Sequence, residues 1–242
     1  MTITERTIKT PKPYSFEEMG QLLARTIGTE WELIVVLGGL YGLRLNEILG
    51  LRWSDMDNEM ETFSVVGQLP FALPAGTTYV KEMVPVKSDK RTLPVTEMTV
   101  PFFFRQLMHK INLKISMERS REVYYDNDLV IAKPNGCPER EENVSANFSQ
   151  FLRQQGLRPI RFPDLCRSAA INMCELTGDF YTVEQILGHS VKSVGSQLGI
   201  ASNLQAVAVQ YTDVYLDRKS FILNAYHEKI VDLEALYHHP RH

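Results

Sequence analysis

The sequence is poor in the features that mark secreted, membrane and metal-scaffold proteins. Only three cysteines occur, Cys137, Cys166 and Cys174. They are odd in number, widely spaced and without a Cys-x-x-Cys pair, which fits reduced thiols and excludes a disulfide frame or a zinc knot. The longest near-continuous apolar run, residues 33–43, is interrupted by Gly38, Gly39, Tyr41 and Gly42 and falls well short of the roughly 20 residues a bilayer requires. Met1 is followed by Thr-Ile-Thr-Glu-Arg, with no basic-then-apolar leader, so a cytoplasmic protein is expected. A surplus of positive charge is missing too: 26 Lys and Arg stand against 29 Asp and Glu, a formal net charge of −3. This excludes a purely electrostatic nucleic-acid binder, while local basic faces remain open. What is present, 44% apolar and 23% charged residues over 242 positions, is ordinary globular composition for one large or two small domains.

Residues 1–14 are polar, carry Pro11 and Pro13, and read as a flexible lead-in, with the folded domain over residues 15–242. Ser15 with Glu18 three residues on is a capping box, opening a helix that carries Met19, Leu22 and Leu23. A second helix is predicted from Glu30 to Tyr41, broken by Gly42, and a short one over residues 45–51. The period then changes. Residues 62–68, 78–86 and 91–95 are short, rich in Val and Thr and separated by turn residues, which predicts a small antiparallel sheet. Helices are predicted again over residues 105–121, 145–155, 164–176, 182–187, 204–211 and 220–237. The fold class is therefore mainly α with one small antiparallel sheet. The 105–121 helix carries Arg105, Lys110, Lys114, Arg119 and Arg121 against only Glu118. It reads either as a DNA-facing strip or as a solvated helix face.

Four motifs go further. The first is LYGLRLNEILGLRWSDMD at residues 40–57, the second PVKSDKRTLPV at 85–95, the third TVEQILGHS at 182–190 and the fourth QYTDVY at 210–215. In this order they resemble the conserved boxes of the tyrosine recombinases, the phage integrase family, which cuts and rejoins DNA through a phosphotyrosine link. The resemblance implies that family's catalytic-domain fold and makes Arg44 an active-site arginine. A guanidinium offers a planar donor fork for two phosphate oxygens, and a helix start favours anions. Glu47, one turn on, would buttress an arginine; outside the box the two residues would be only an i, i+3 surface pair worth a few tenths of a kcal/mol. Lys87 would be the hairpin lysine that protonates the leaving 5′ oxygen, with Lys90 the competing register. His189 would hold the scissile phosphate and Tyr211 would be the nucleophile, with Tyr215 its alternative.

The chain departs from the family in two places. In RFPDLCRSAA, residues 161–170, Pro163 stands where the family has a histidine (sometimes a lysine) and Cys166 where it has its second arginine. Arg167 follows one residue late, a rotation of about 100° on a helix. The segment between His189 and Tyr211 is also longer than the family's usual spacing. The resemblance thus implies a DNA-breaking and rejoining catalytic domain without the family's usual preceding clamp domain. It also leaves open a degenerate relative that binds DNA or a recombinase partner without cutting, while chance motif matches in a helical interaction domain are the third alternative. Expected partners are duplex DNA, contacted by Lys90, Arg91 and Arg161, and a second copy through the C-terminal helix, whose alternative is packing on its own domain. No metal, cofactor, small-molecule substrate or membrane is expected. Because Glu47 would lose its usual partner at position 166, it is expected to find Arg167 or another donor.

Overall fold

The computed structural model describes residues 12–70, 73–80, 82–86, 90–188 and 215–237. The first helix, α1 (Phe16–Thr26), starts as its sequence dictates. The Ser15 hydroxyl accepts from the Glu18 backbone N–H at 3.3 Å, and the Glu18 carboxylate accepts from the Ser15 N–H at 2.9 Å. Its Met19, Leu22 and Leu23 are fully buried. The chain ahead of it is not loose. Tyr14 is buried, its N–H bonds the Ser168 hydroxyl at 2.8 Å, its hydroxyl donates to the Arg158 carbonyl, and Arg158 stacks over its ring. Residues 12–14 therefore belong to the fold and not to the expected lead-in.

The second helix is shorter than its apolar run. α2 (Glu32–Val35) opens into a π-turn over Val36–Leu40, closed by the Tyr41 N–H on the Val36 carbonyl at 3.3 Å. The glycines explain the widening, because they let neighbouring helices press on the backbone. A Cβ on Gly38 would stand 2.6 Å from the Phe162 ring, and one on Gly39 2.8 Å from Met19 Sδ. Gly42 then reverses the chain at φ +71°, against Leu187, before α3 (Leu45–Gly50).

Among the described residues four strands follow: β1 (Thr62–Val65), β2 (Gly67–Gln68), β3 (Val84–Pro85) and β4 (Arg91–Pro94). β1 pairs antiparallel with β4, Phe63 opposite Leu93, and β2 with β3, Gln68 opposite Val84. The strand predicted over 78–86 is reduced to two residues, for an identifiable reason. The Asn127 side chain accepts from the Val80 N–H at 2.9 Å and donates to the Thr78 carbonyl at 2.8 Å, so a side-chain amide satisfies backbone that would otherwise need a strand partner.

A 3-10 turn over Trp53–Asp55 precedes the strands, and α4 (Val100–Ser120), α5 (Glu141–Gln154), α6 (Phe162–Thr177), α7 (Phe180–Leu187) and α8 (Tyr215–Tyr237) follow them. α8 buries Ile222, Leu223, Tyr226 and Ile230 within its own domain, against α1. The predicted 204–211 helix lies outside the described residues. No helix among the described residues is long and apolar enough to cross a membrane.

α8 also carries a fully buried histidine. The Leu40 carbonyl can only accept, so His227 Nε2 donates to it at 3.1 Å, and Nδ1 accepts from the Thr96 hydroxyl at 2.8 Å. Burial pushes the ring down from 6.5 to about 4, and the Leu40 bond offsets this only in part. The unfolded chain, with its histidine near 6.5, therefore takes up the proton first as pH falls. The contribution of this neutral ring to stability is complete above pH 6.5 and is lost towards pH 4, to an extent of about 3 kcal/mol. Urea denaturation should show stability falling between pH 6.5 and 5. His227→Gln should flatten that interval, and an unchanged slope would rule the assignment out.

Candidate active site

Arg44 is the N-cap of α3. The turn at Gly42 delivers it there in an extended conformation, φ −70° and ψ 149°, with its side chain 45% exposed. Glu47, three residues on, lies beneath it almost fully buried and accepts from the Arg44 backbone N–H at 3.0 Å. The Arg44 guanidinium stands 3.9 Å from the same carboxylate.

The expected search by Glu47 for a donor ends at a residue assigned to a different task. Arg91, expected to face DNA, is buried: Nη2 reaches Glu47 Oε2 at 2.9 Å and Nη1 reaches Oε1 at 3.2 Å. Its Nε donates to the Ile186 carbonyl in α7 at 2.6 Å. The cause is parity along β4. Arg91 and Leu93 share the inward face while Thr92 points out, so the strand aims the guanidinium at the core. That alternation is readable in the sequence and is the signal that finds Arg91's place.

At the start of α6, Cys166 turns inward and its thiol donates to the Leu43 carbonyl at 2.8 Å. Burial, and secondarily the Glu47 carboxylate, push the thiol up to about 12, so it is neutral and no nucleophile. Arg167, one position on, is exposed and lines the same cleft as Arg44. That cleft has a volume of about 500 Å³, and Gly42, Asn46, Gln68, Pro163 and Cys166 also form its wall. Two carboxylates, Glu141 and Glu184, line it together with the two arginines, so the charged side chains of the described lining are balanced.

Several other basic groups are engaged elsewhere. Arg161 is exposed and forms a fork with Asp164 on its own helix, at 2.8 and 3.1 Å, whose hydrogen bonds hold the Asp164 carboxyl below its usual range. Arg158 binds Glu18. On α4, Arg105 pairs with Glu32, and Lys110 and Lys114 pair with Asp126. No α4 residue lines the cleft. Lys90 is exposed at the entry to β4. Lys87, His189 and Tyr211 lie outside the described residues, and for Tyr215 the backbone alone is described, at the first position of α8.

Comparison with known proteins agrees with this architecture. The model of the phage integrase family matches residues 24–197. A tyrosine recombinase XerC-like protein of Caldanaerobacter subterraneus subsp. tengcongensis is 24% identical over 193 residues, covering 76% of this chain and 49% of that protein. The ICEBs1 integrase of Bacillus subtilis is 23% identical over 207 residues, covering 80% of this chain and 50% of that protein. The chain thus spans about half the length of the curated relatives it matches. Among solved structures, XerA recombinase gives a TM-score of 0.56 at 21% identity, over 88% of this chain and 66% of that one. The Tn1549 transposon integrase, solved with a circular intermediate DNA, gives 0.60 at 17% identity, over 78% and 61%. At these identities the likeness is one of fold.

Proposed function

The chain belongs to the phage integrase family, and on that premise we propose that it is a site-specific recombinase catalytic domain whose cleft binds a phosphate of duplex DNA. The observation that carries this reading is that Arg44 and Arg167, far apart in sequence, line one cleft of about 500 Å³. Arg44, at the start of α3 with its side chain 45% exposed, offers a planar guanidinium fork that suits two phosphate oxygens.

In the proposed reaction the Tyr211 hydroxyl attacks the phosphorus and loses its proton, and the bond from phosphorus to the 5′ oxygen breaks. Lys87 protonates that oxygen. A 3′-phosphotyrosyl link results, and attack by a 5′ hydroxyl reverses it. His189 and the two arginines hold the non-bridging oxygens. Lys90 and Arg161 contact the DNA backbone outside the cleft. The roles of Lys87, His189 and Tyr211 rest on the motif match.

Cys166 favours a second reading. A neutral thiol turned onto the Leu43 carbonyl supplies no charge to a pentavalent phosphorus. The same cleft then serves a relative that binds DNA and cuts slowly or not at all.

Binding to duplex DNA should weaken linearly in log affinity with log salt, as neutralised phosphates release counterions. Salt-independent affinity, or none at low salt, removes both readings. A nicked duplex that sheds its short strand on cleavage should accumulate a covalent adduct on the segment containing Tyr211, and Tyr211→Phe should abolish it while leaving affinity unchanged. If the parent yields no adduct, the second reading holds.

A further inference from the structure

Among the described residues, Arg91 and Arg44 both attend one buried carboxylate. Glu47 has no exposed side-chain surface, and Arg91, nearly as buried, takes both of its oxygens. Arg44 stands by at 3.9 Å, beyond hydrogen-bond reach, with its head in the cleft. Arg91 is also tied to the last turn of α7 through the Ile186 carbonyl, at 2.6 Å. The buried arginine therefore holds the carboxylate, and the exposed one is left for something else.

We propose that Arg91 is a positioning residue for the phosphate site: by occupying Glu47 it keeps the Arg44 guanidinium turned out into the cleft. The inference rests on the DNA-binding reading above. Its logic is electrostatic. A buried carboxylate is strongly unfavourable without a partner. If Arg91 is removed, the nearest described cation is Arg44, which needs to approach by only about 1 Å to form a charge-assisted hydrogen bond. Arg44 would then spend its donors on Glu47, and a phosphate in the cleft would lose them.

The test is duplex affinity of the full chain at low salt, measured by fluorescence anisotropy on variants checked for folding by circular dichroism. Arg44→Ala should weaken binding about tenfold in the parent, the scale of one charged hydrogen bond. In an Arg91→Met background it should cost less than about twofold, because Arg44 is already withdrawn. Adding Glu47→Gln to Arg91→Met should restore most of the affinity, since a neutral amide no longer draws Arg44 inward. A residue that only props the fold would regain thermal stability in the double variant without making affinity depend on Arg44 again, whereas here Arg44→Ala in the double background should once more cost about tenfold. Arg91→Lys, which keeps the charge but not the bidentate geometry, should bind between Arg91→Met and the parent. Should Arg91→Met fail to fold, Arg91→Gln takes its place in the same cycle. Equal losses from Arg44→Ala in both backgrounds, or no restoration by Glu47→Gln, overturn the inference and leave DNA binding standing. A parent that binds no duplex at low salt overturns the DNA-binding reading and this inference together.

Discussion

Arginine at position 166 should raise the rate of covalent adduct formation on a nicked duplex by about 10³-fold or more, the scale on which an arginine stabilises charge in phosphoryl transfer. Cys166 lines the cleft, so a longer side chain has the cavity to extend into, and the cost of the change is the thiol's bond to the Leu43 carbonyl. The carboxylate of Glu47 acts on this position, as its influence on the thiol shows. It would favour a cation there. Pro163 is in the first turn of α6, exposed on the same wall, where replacing proline by histidine breaks no helical hydrogen bond. The double variant Pro163→His with Cys166→Arg should therefore exceed the single one. Cys166→Ser, which restores no charge, should stay at the parent's rate. Folded Cys166→Arg protein that forms adduct no faster than the parent would show that the second arginine's place is filled by another residue and that the first turns of α6 are misaligned.

Glu47→Leu should be among the most destabilising single substitutions in the chain. It leaves the Arg91 guanidinium buried with its Ile186 bond but without the carboxylate, and it removes the acceptor for the Arg44 N–H at the start of α3. Breaking a buried ion pair from one side costs about 3–5 kcal/mol, because a charge stays behind without compensation. For a chain of this size that is a fall in Tm of roughly 10 °C by calorimetry. The companion variant Glu47→Leu with Arg91→Met replaces both ions by apolar groups of similar length and should recover most of the loss. If Glu47→Leu melts with the parent, the pair contributes nothing net, and the packing of α3 against β4 must rest on Leu93 and its apolar neighbours alone.

The sequence by itself determined whatever is settled within a turn or two of chain. The Ser15 and Glu18 box started α1 where expected, Gly42 ended the apolar helix ahead of Arg44, and the long periodic segments became α4, α5, α6 and α8 with boundaries moved by a few residues. The motif order was legible for the same reason, since each box is a local string, and it led to the family. Only the tertiary structure decided which charges meet. Arg91 and Glu47 are 44 positions apart, and Arg105 and Glu32 are 73 apart. A buried carboxylate takes whichever cation the packing brings within 3 Å, and that choice turns an expected DNA contact into an internal strut. Residues 78–80 met Asn127, nearly fifty positions away, and so lost their strand. Arg167 reached the cleft, displaced by one position as it is, because α6 packs beside Gly42 and the cavity between them is wide enough for an exposed side chain to line it. Local hydrogen bonds are written in neighbouring residues; long-range pairings depend on which faces the core turns inward, and a single string does not encode that distance.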